Sequence, residues 1–189
     1  MPDALTLLET RRTISSISLG EPGPSRREIE TLIRIATRVP DHGKLTPWRF
    51  ILFSGAARKA AGEGLAAILA QKQPDTPADR LDQERQRFSR VPLTIGVVSR
   101  AAPHVKIPVW EQVLSAGAAT MNLVLAAHAL GYSAQWLTEW VAYDAEAGAF
   151  LGLKEGERFA GFVVVGTPTV PPVDRPRPAF ADIVSVWGA

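Results

Sequence analysis

Arg38-Val39-Pro40-Asp41-His42-Gly43-Lys44-Leu45-Thr46-Pro47-Trp48-Arg49-Phe50-Ile51-Leu52-Phe53 carries the end of a helix, a loop and a strand in one uninterrupted stretch. Upstream of it Ile29, Leu32, Ile33, Ala36 and Val39 recur at helical spacing, so one apolar face persists until Pro40 stops the helix. Ser25 and Glu28 stand three apart ahead of that run, the spacing of a capping box, and place the helix start at Ser25. From Pro40 to Pro47 there are too many breakers for regular structure. Trp48 to Phe53 is aromatic and aliphatic apart from Arg49 and reads as a strand.

Working outward, Asp3 is the predicted N-cap of a short helix reaching Arg11, with Leu5, Leu7 and Leu8 available for burial, and a Ser/Gly/Pro loop then runs to Pro24. Beyond the central stretch the pattern predicts helices over about 56–71 and 79–88, a strand at 93–98, and a long helix from Pro108 to Leu130 capped by Gly131. A strand at 132–138, a helix near 144–151 and a strand at 159–165 follow. This alternation predicts a single α+β domain over 1–189, a mixed β-sheet flanked by helices. The Pro-rich arm 167–178 and the strand-like run 183–187 have no local partner. They read either as a frayed tail or as an arm that crosses to a second subunit and adds a strand there.

Composition narrows the function classes. With 46% hydrophobic and 21% charged residues the chain is an ordinary globular one. It has no cysteine, which excludes disulfides, iron–sulfur clusters, Cys-type zinc sites and a cysteine nucleophile, and suits a reducing cytoplasm. The net charge is +2, and opposite charges interleave, as in Arg80-Leu81-Asp82-Gln83-Glu84-Arg85. That predicts a solvated mixed surface and no nucleic-acid partner. Leu114 to Leu130 is apolar but broken by Ser115, Asn122 and His128, so a buried helix is expected and no membrane span. Met1-Pro2-Asp3 lacks the charged start of a secretory signal.

Several catalytic constellations are missing: no G-x-G-x-x-G, no P-loop and no G-x-S-x-G, while His42, His104 and His128 offer no helical metal pair. What remains is arginine at element ends. Arg11-Arg12-Thr13 closes the first helix, where cations complement the helix dipole, and would serve equally as two guanidinium forks and a hydroxyl for a phosphate. Arg38, Arg175 and Arg177 are further candidates.

The arrangement resembles the nitroreductase family. Three features carry the likeness: the Leu-rich helix running into Arg-Arg-Thr, the segment Arg38-Val39-Pro40-Asp41-His42 with Pro47-Trp48-Arg49-Phe50, and an apolar strand closing on Gly166-Thr167-Pro168 with Arg177 and Ile183-Val184 beyond. The Pro-Asp-His loop and Lys106-Ile107-Pro108-Val109-Trp110-Glu111-Gln112 resemble its compact YdjA-like branch. The resemblance implies FMN held noncovalently at a homodimer interface, with Arg11, Arg12, Thr13 and Arg177, and also Arg175, at the ribityl phosphate. It places Arg38 and His42 in the cofactor site, one of them from the partner subunit, and lays Gln135-Trp136-Leu137 along the flavin. It gives the long helix, with its small residues Ala116, Gly117, Ala118 and Ala119, to the interface. Read from the residues alone, Trp136 is equally a core residue and His42 a brace for its loop.

The implied activity is reduction of nitroaromatic, quinone or similar electron-poor small molecules by NADH or NADPH, in ping-pong fashion, with no catalytic side chain beyond the flavin. Two departures bear on the flavin edge: Ile14-Ser15-Ser16-Ile17 stands where the family often has a further arginine, and Leu137 where the branch can carry one. Other readings are a flavoenzyme of different redox chemistry (dehalogenation or flavin modification), a non-catalytic FMN-binding store, and a helical interaction domain without cofactor.

Overall fold

The structure, a computed structural model, describes residues 3–188; Met1, Pro2 and Ala189, and with the first two most of the signal-peptide reading, lie outside them. Asp3 caps α1 (Ala4–Thr10) by accepting from the Leu5 and Thr6 N–H groups at 3.0 and 3.1 Å. After a short strand β1 (Leu19–Gly20), Ser25 opens α2 (Arg26–Ala36) with the capping box its spacing predicts. Then come β2 (Trp48–Phe53), α3 (Ala56–Lys72), α4 (Ala78–Gln86), β3 (Leu93–Ser99) and α5 (Val109–Ala129). The chain continues through β4 (Ser133–Leu137), α6 (Ala145–Phe150), β5 (Arg158–Pro168) and a single turn α7 (Phe180–Ile183). Gly131, at φ 90°, supplies the left-handed cap that releases α5 into β4.

β5 is the centre of the sheet. It pairs with β3 from Arg158 to Val165, with β4 from Phe162 to Gly166, and with β1 through Thr167 and Pro168, while β2 lies outside β3. Among the described residues every pairing is antiparallel, where the sequence reading expected a mixed sheet. The strand-like run 183–187 forms no strand here: Phe180–Ile183 is a helical turn and Trp187 is 99% exposed. A terminal strand needs an open sheet edge within reach, and the arm meets none in its own chain.

Both faces of the sheet are covered, which is why β3 and β5 are apolar almost without alternation. Leu93, Ile95, Val97, Val163 and Val165 face α2 and α5, packing on Leu32, Ala36, Leu123 and Ala127. Phe53, Val98, Phe159 and Phe162 face α3 and the Phe88 turn on the other side. Two expectations about burial fail. Leu5 and Leu8 of α1 are 71% and 55% exposed, because α1 touches α5 along one side only and has no second layer. Ala116 and Ala119 are completely buried against Trp48 in their own chain, so only Gly117 and Ala118 of that quartet remain partly accessible.

A half-buried ion pair ties the outer strand to the turn between α6 and β5. Arg49 of β2 donates from Nε and Nη2 to the Glu157 carboxylate and from Nη2 to the Gly152 carbonyl. Glu157 falls from 4.5 to about 2: the Arg49 hydrogen bonds lower it most, burial opposes them, and the Lys154 N–H helps. A depressed carboxylate stabilises above its unfolded value and loses that contribution as pH falls through its folded value. The protein should therefore lose about 3 kcal/mol between pH 4.5 and pH 2 from this group alone. Denaturant melts across that window should show it, and Glu157→Gln should flatten that part of the profile.

Candidate functional site

The end of α1 gathers positive charge. Arg12 donates from Nη1 to the Glu9 carbonyl at 2.7 Å, which is the helix-end interaction its position predicted. Its Nη2 donates to Asp174 Oδ2 at 2.6 Å and its Nε faces Oδ1, so the C-terminal arm folds back onto α1. Arg177 approaches the same carboxylate at 3.7 Å. Asp174 is held below the usual carboxylate range, first by the Arg12 hydrogen bond and then by the Arg175 N–H. Arg11 has no such partner: among the described residues no carboxylate comes within ion-pair distance of it. Burial, then Arg177, Arg12 and Arg175 in that order, pull its pKa below the ordinary arginine value. Of the four guanidiniums, only Arg12 and Arg177 pair with the one carboxylate, a charge imbalance that an incoming phosphate would redress. Thr13 is exposed beside them.

His128 fixes this cluster to the scaffold. Its Nε2 lies 2.9 Å from the Arg12 carbonyl, near the C-terminal end of α5. His42 belongs to the opposite end. Its Nδ1 lies 2.6 Å from Glu111 Oε2, in the first turn of α5. With a rise of about 1.5 Å per residue, Glu111 and His128 are about 26 Å apart along the helix axis. One chain therefore does not bring His42 to the arginine cluster. Arg38 lies between, exposed, with its carbonyl held by Asn122 Nδ2 at 2.9 Å.

The loop that presents His42 is built for rigidity. Asp41 accepts from the Leu45 and Thr46 N–H groups at 3.0 and 2.9 Å, while Ser115 Oγ donates to the Pro40 carbonyl at 2.7 Å. Trp48 Nε1 donates to the same Ser115 hydroxyl at 3.2 Å. Lys44 and Thr46 both sit at positive φ, 55° and 51°, and for the β-branched Thr46 this is an outlying conformation. His42, Glu111, Leu114 and Ala118 line a shallow, mainly apolar hollow there. It continues into the exposed Val109, Trp110 and Val113 of the same helix.

β4 divides its three candidates between two faces, as strand alternation requires. Gln135 Oε1 accepts from the Ser16 N–H at 2.7 Å, and Leu137 lines a cavity of ≈ 170 Å³ together with Ser16. Trp136 points the other way, donating to the Ala160 carbonyl at 3.2 Å and lying against Gly161. At 41% exposed it is a surface residue with a fixed ring, neither core nor part of that cavity.

The wall opposite Leu137 is a charged network that the sequence reading took for solvated surface. Glu84 of α4 is completely buried. Arg87 donates to it from Nε and Nη2 at 2.6 Å each, Arg80 pairs with it from the preceding turn, and Arg87 Nη1 donates to Glu139. Burial alone would raise the Glu84 pKa; Arg87 and Arg80 outweigh it and hold the carboxyl below its ordinary value. The signal was present as Arg80, Glu84 and Arg87 at helical i,i+4 and i,i+3 spacing. What could not be read was that this helical face turns inward.

A family model described as the nitroreductase family matches residues 8–167. The chain belongs to the nitroreductase family. It is accordingly an oxidoreductase. A Haemophilus influenzae protein named for NAD(P)H nitroreductase activity is 38% identical over 167 residues, covering 87% of this chain and 88% of that protein. YdjA of Escherichia coli K12, named in the same way, is 34% identical over 168 residues, with 88% of each covered. Among solved structures, a nitroreductase-like family protein from Bacillus cereus superposes with a TM-score of 0.84 at 20% identity, over 100% of this chain and 98% of that one. The FMN- and NADPH-dependent nitroreductase NfnB of sphigopyxis sp. strain HMH gives 0.74 at 17% identity, over 100% of both.

Proposed function

We propose that the chain is an FMN-dependent oxidoreductase that takes electrons from NADH or NADPH and delivers them to electron-poor small molecules such as nitroaromatics or quinones. The observation that carries this reading is Arg11, a guanidinium crowded by three others with no carboxylate of its own. Such a group suits the phosphate of FMN, with Arg12, Thr13, Arg175 and Arg177 around it. When bound, FMN would supply the hydride chemistry, and the protein supplies binding, orientation and electrostatics. Leu137, Ser16 and Gln135 would meet the ring edge at the cavity. Trp136, on the other face of β4, would reach the ring only past the strand's open edge.

The rest of the site would come from a second copy. His42 and its apolar hollow are too far along α5 to join Arg11 in one chain, and in a two-fold dimer they would complete the partner's site. Trp110, Val113 and Leu114 of α5 and Leu5 and Leu8 of α1, all exposed here, would be covered in that interface. The arm beyond Asp174 would extend onto the partner and supply the strand that 183–187 does not form alone. Among the described residues no helix is long and apolar enough to cross a membrane. A cytoplasmic location belongs to the same proposal and suits a chain without cysteine.

The test is spectroscopic and kinetic. Purified protein should carry a flavin absorption band that NADPH or NADH bleaches without oxygen and an added quinone restores. A band that neither nucleotide bleaches would return the protein to a storage role, and the lack of any flavin affinity would remove the reading. Because one cleft serves reductant and acceptor in turn, double-reciprocal plots should be parallel; intersecting lines would point to a ternary complex.

A further inference from the structure

Glu139 occupies a backbone conformation, φ 57° and ψ −173°, that is otherwise almost reserved for glycine. It stands two residues beyond the end of β4, borders the same cavity as Leu137, and leads into the turn Trp140–Ala142, whose N–H at Ala142 returns to the Glu139 carbonyl at 3.2 Å. A Cβ in that region costs enough that the surroundings must hold it there. The only charged partner of Glu139 among the described residues is Arg87, and Arg87 is itself held by buried Glu84. The side chain of Arg87 is 8% exposed and that of Glu84 is 0% exposed, so the anchor is rigid and shielded from solvent.

We infer that Glu84 and Arg87 form a clamp that holds Glu139 in a glycine-like conformation, making Glu139 a positioning residue for the cavity wall at Leu137–Glu139. The site role of that wall rests on the function proposed above; the clamp does not. The physical content is that Glu139 needs its carboxylate only because it has a Cβ. Glycine at this position would adopt the same backbone unaided, alanine would carry the strain without the clamp, and glutamine could still accept from Arg87 Nη1.

That ordering separates a positioning role from its rivals. Apoprotein of the wild type and of Glu139→Gln, Glu139→Ala and Glu139→Gly should be titrated with FMN and, separately, melted without it. Each variant keeps the Glu84–Arg87 pair, so no buried charge is orphaned. The expected result is that Glu139→Ala loses about tenfold or more in FMN affinity and melts lower, while Glu139→Gly stays within about threefold of wild type. Glu139→Gln should lie near wild type in both measurements. If the carboxylate acted through its charge, alanine and glycine would fall together, and if it did nothing, alanine would match wild type; either pattern overturns the clamp. Should none of the proteins, wild type included, bind FMN, the proposed function fails. Whether alanine melts below wild type as well as below glycine would still decide the clamp.

Discussion

Arg11→Gln is expected to weaken FMN binding by about ten- to a hundredfold, the loss of one charge-assisted hydrogen-bonding partner worth roughly 1.5–3 kcal/mol. Riboflavin, which lacks the phosphate, should bind both proteins equally. The structure singles out Arg11 over Arg12, because Arg12 is already neutralised by Asp174 whereas Arg11 faces only like charges. Arg12→Gln should therefore cost less affinity directly while loosening the arm at Asp174. Arg85→Gln is the control, since Arg85 of α4 spends its charge at the surface on Asp82 of the same helix and Glu63 of α3. The glutamine should not unfold the apoprotein, because removing one of four crowded guanidiniums relieves repulsion. Titration calorimetry with both ligands decides the matter. Equal FMN affinity for Arg11→Gln and Arg85→Gln would show that the cluster serves the helix end alone.

The contrast between Arg11 and Arg12 also marks how far a sequence reading reaches. Local signals were legible where they are complete within a few residues: the Asp3 cap, the Ser25–Glu28 box, the breakers from Pro40 to Pro47, and β2 to the residue. The choice of Arg11, Arg12 and Arg177 as one group was legible too, but only through family likeness, since Asp174 binds Arg12 across 162 positions of chain. Long-range pairing of this kind leaves no period in the sequence. The same blindness hid the buried side of α4, where Glu84 looks like any surface carboxylate until Arg87 and the β4 turn close over it. It also gave Ala116 and Ala119 to an interface when Trp48 fills that space from within. Small residues announce close approach and leave open which neighbour approaches.

The separation between His42 and the arginine cluster leads to the prediction with the widest contrast. If each site takes Arg11 from one subunit and His42 from the other, Arg11→Gln and His42→Ala homodimers are each defective at both sites. Co-expressed as a mixed population, random pairing makes half of the dimers heterodimers. Each of those holds one doubly defective site and one wild-type site, so about a quarter of all sites are restored under two-fold symmetry. At an FMN concentration that saturates wild type and neither variant, the mixture should hold about a quarter of the wild-type flavin and show a matching share of its NADPH-dependent turnover. The separately purified variants, combined without subunit exchange, should stay near their own low values. A site contained in one chain predicts the opposite: every subunit would carry one lesion, and mixing would restore nothing. The distance of about 26 Å along α5 makes that second outcome difficult to reconcile with any role for His42 at the flavin. Flat, unrestored binding in a verified heterodimer would therefore return His42 to bracing its loop against Glu111, and leave the arginine cluster to hold the cofactor within a single subunit.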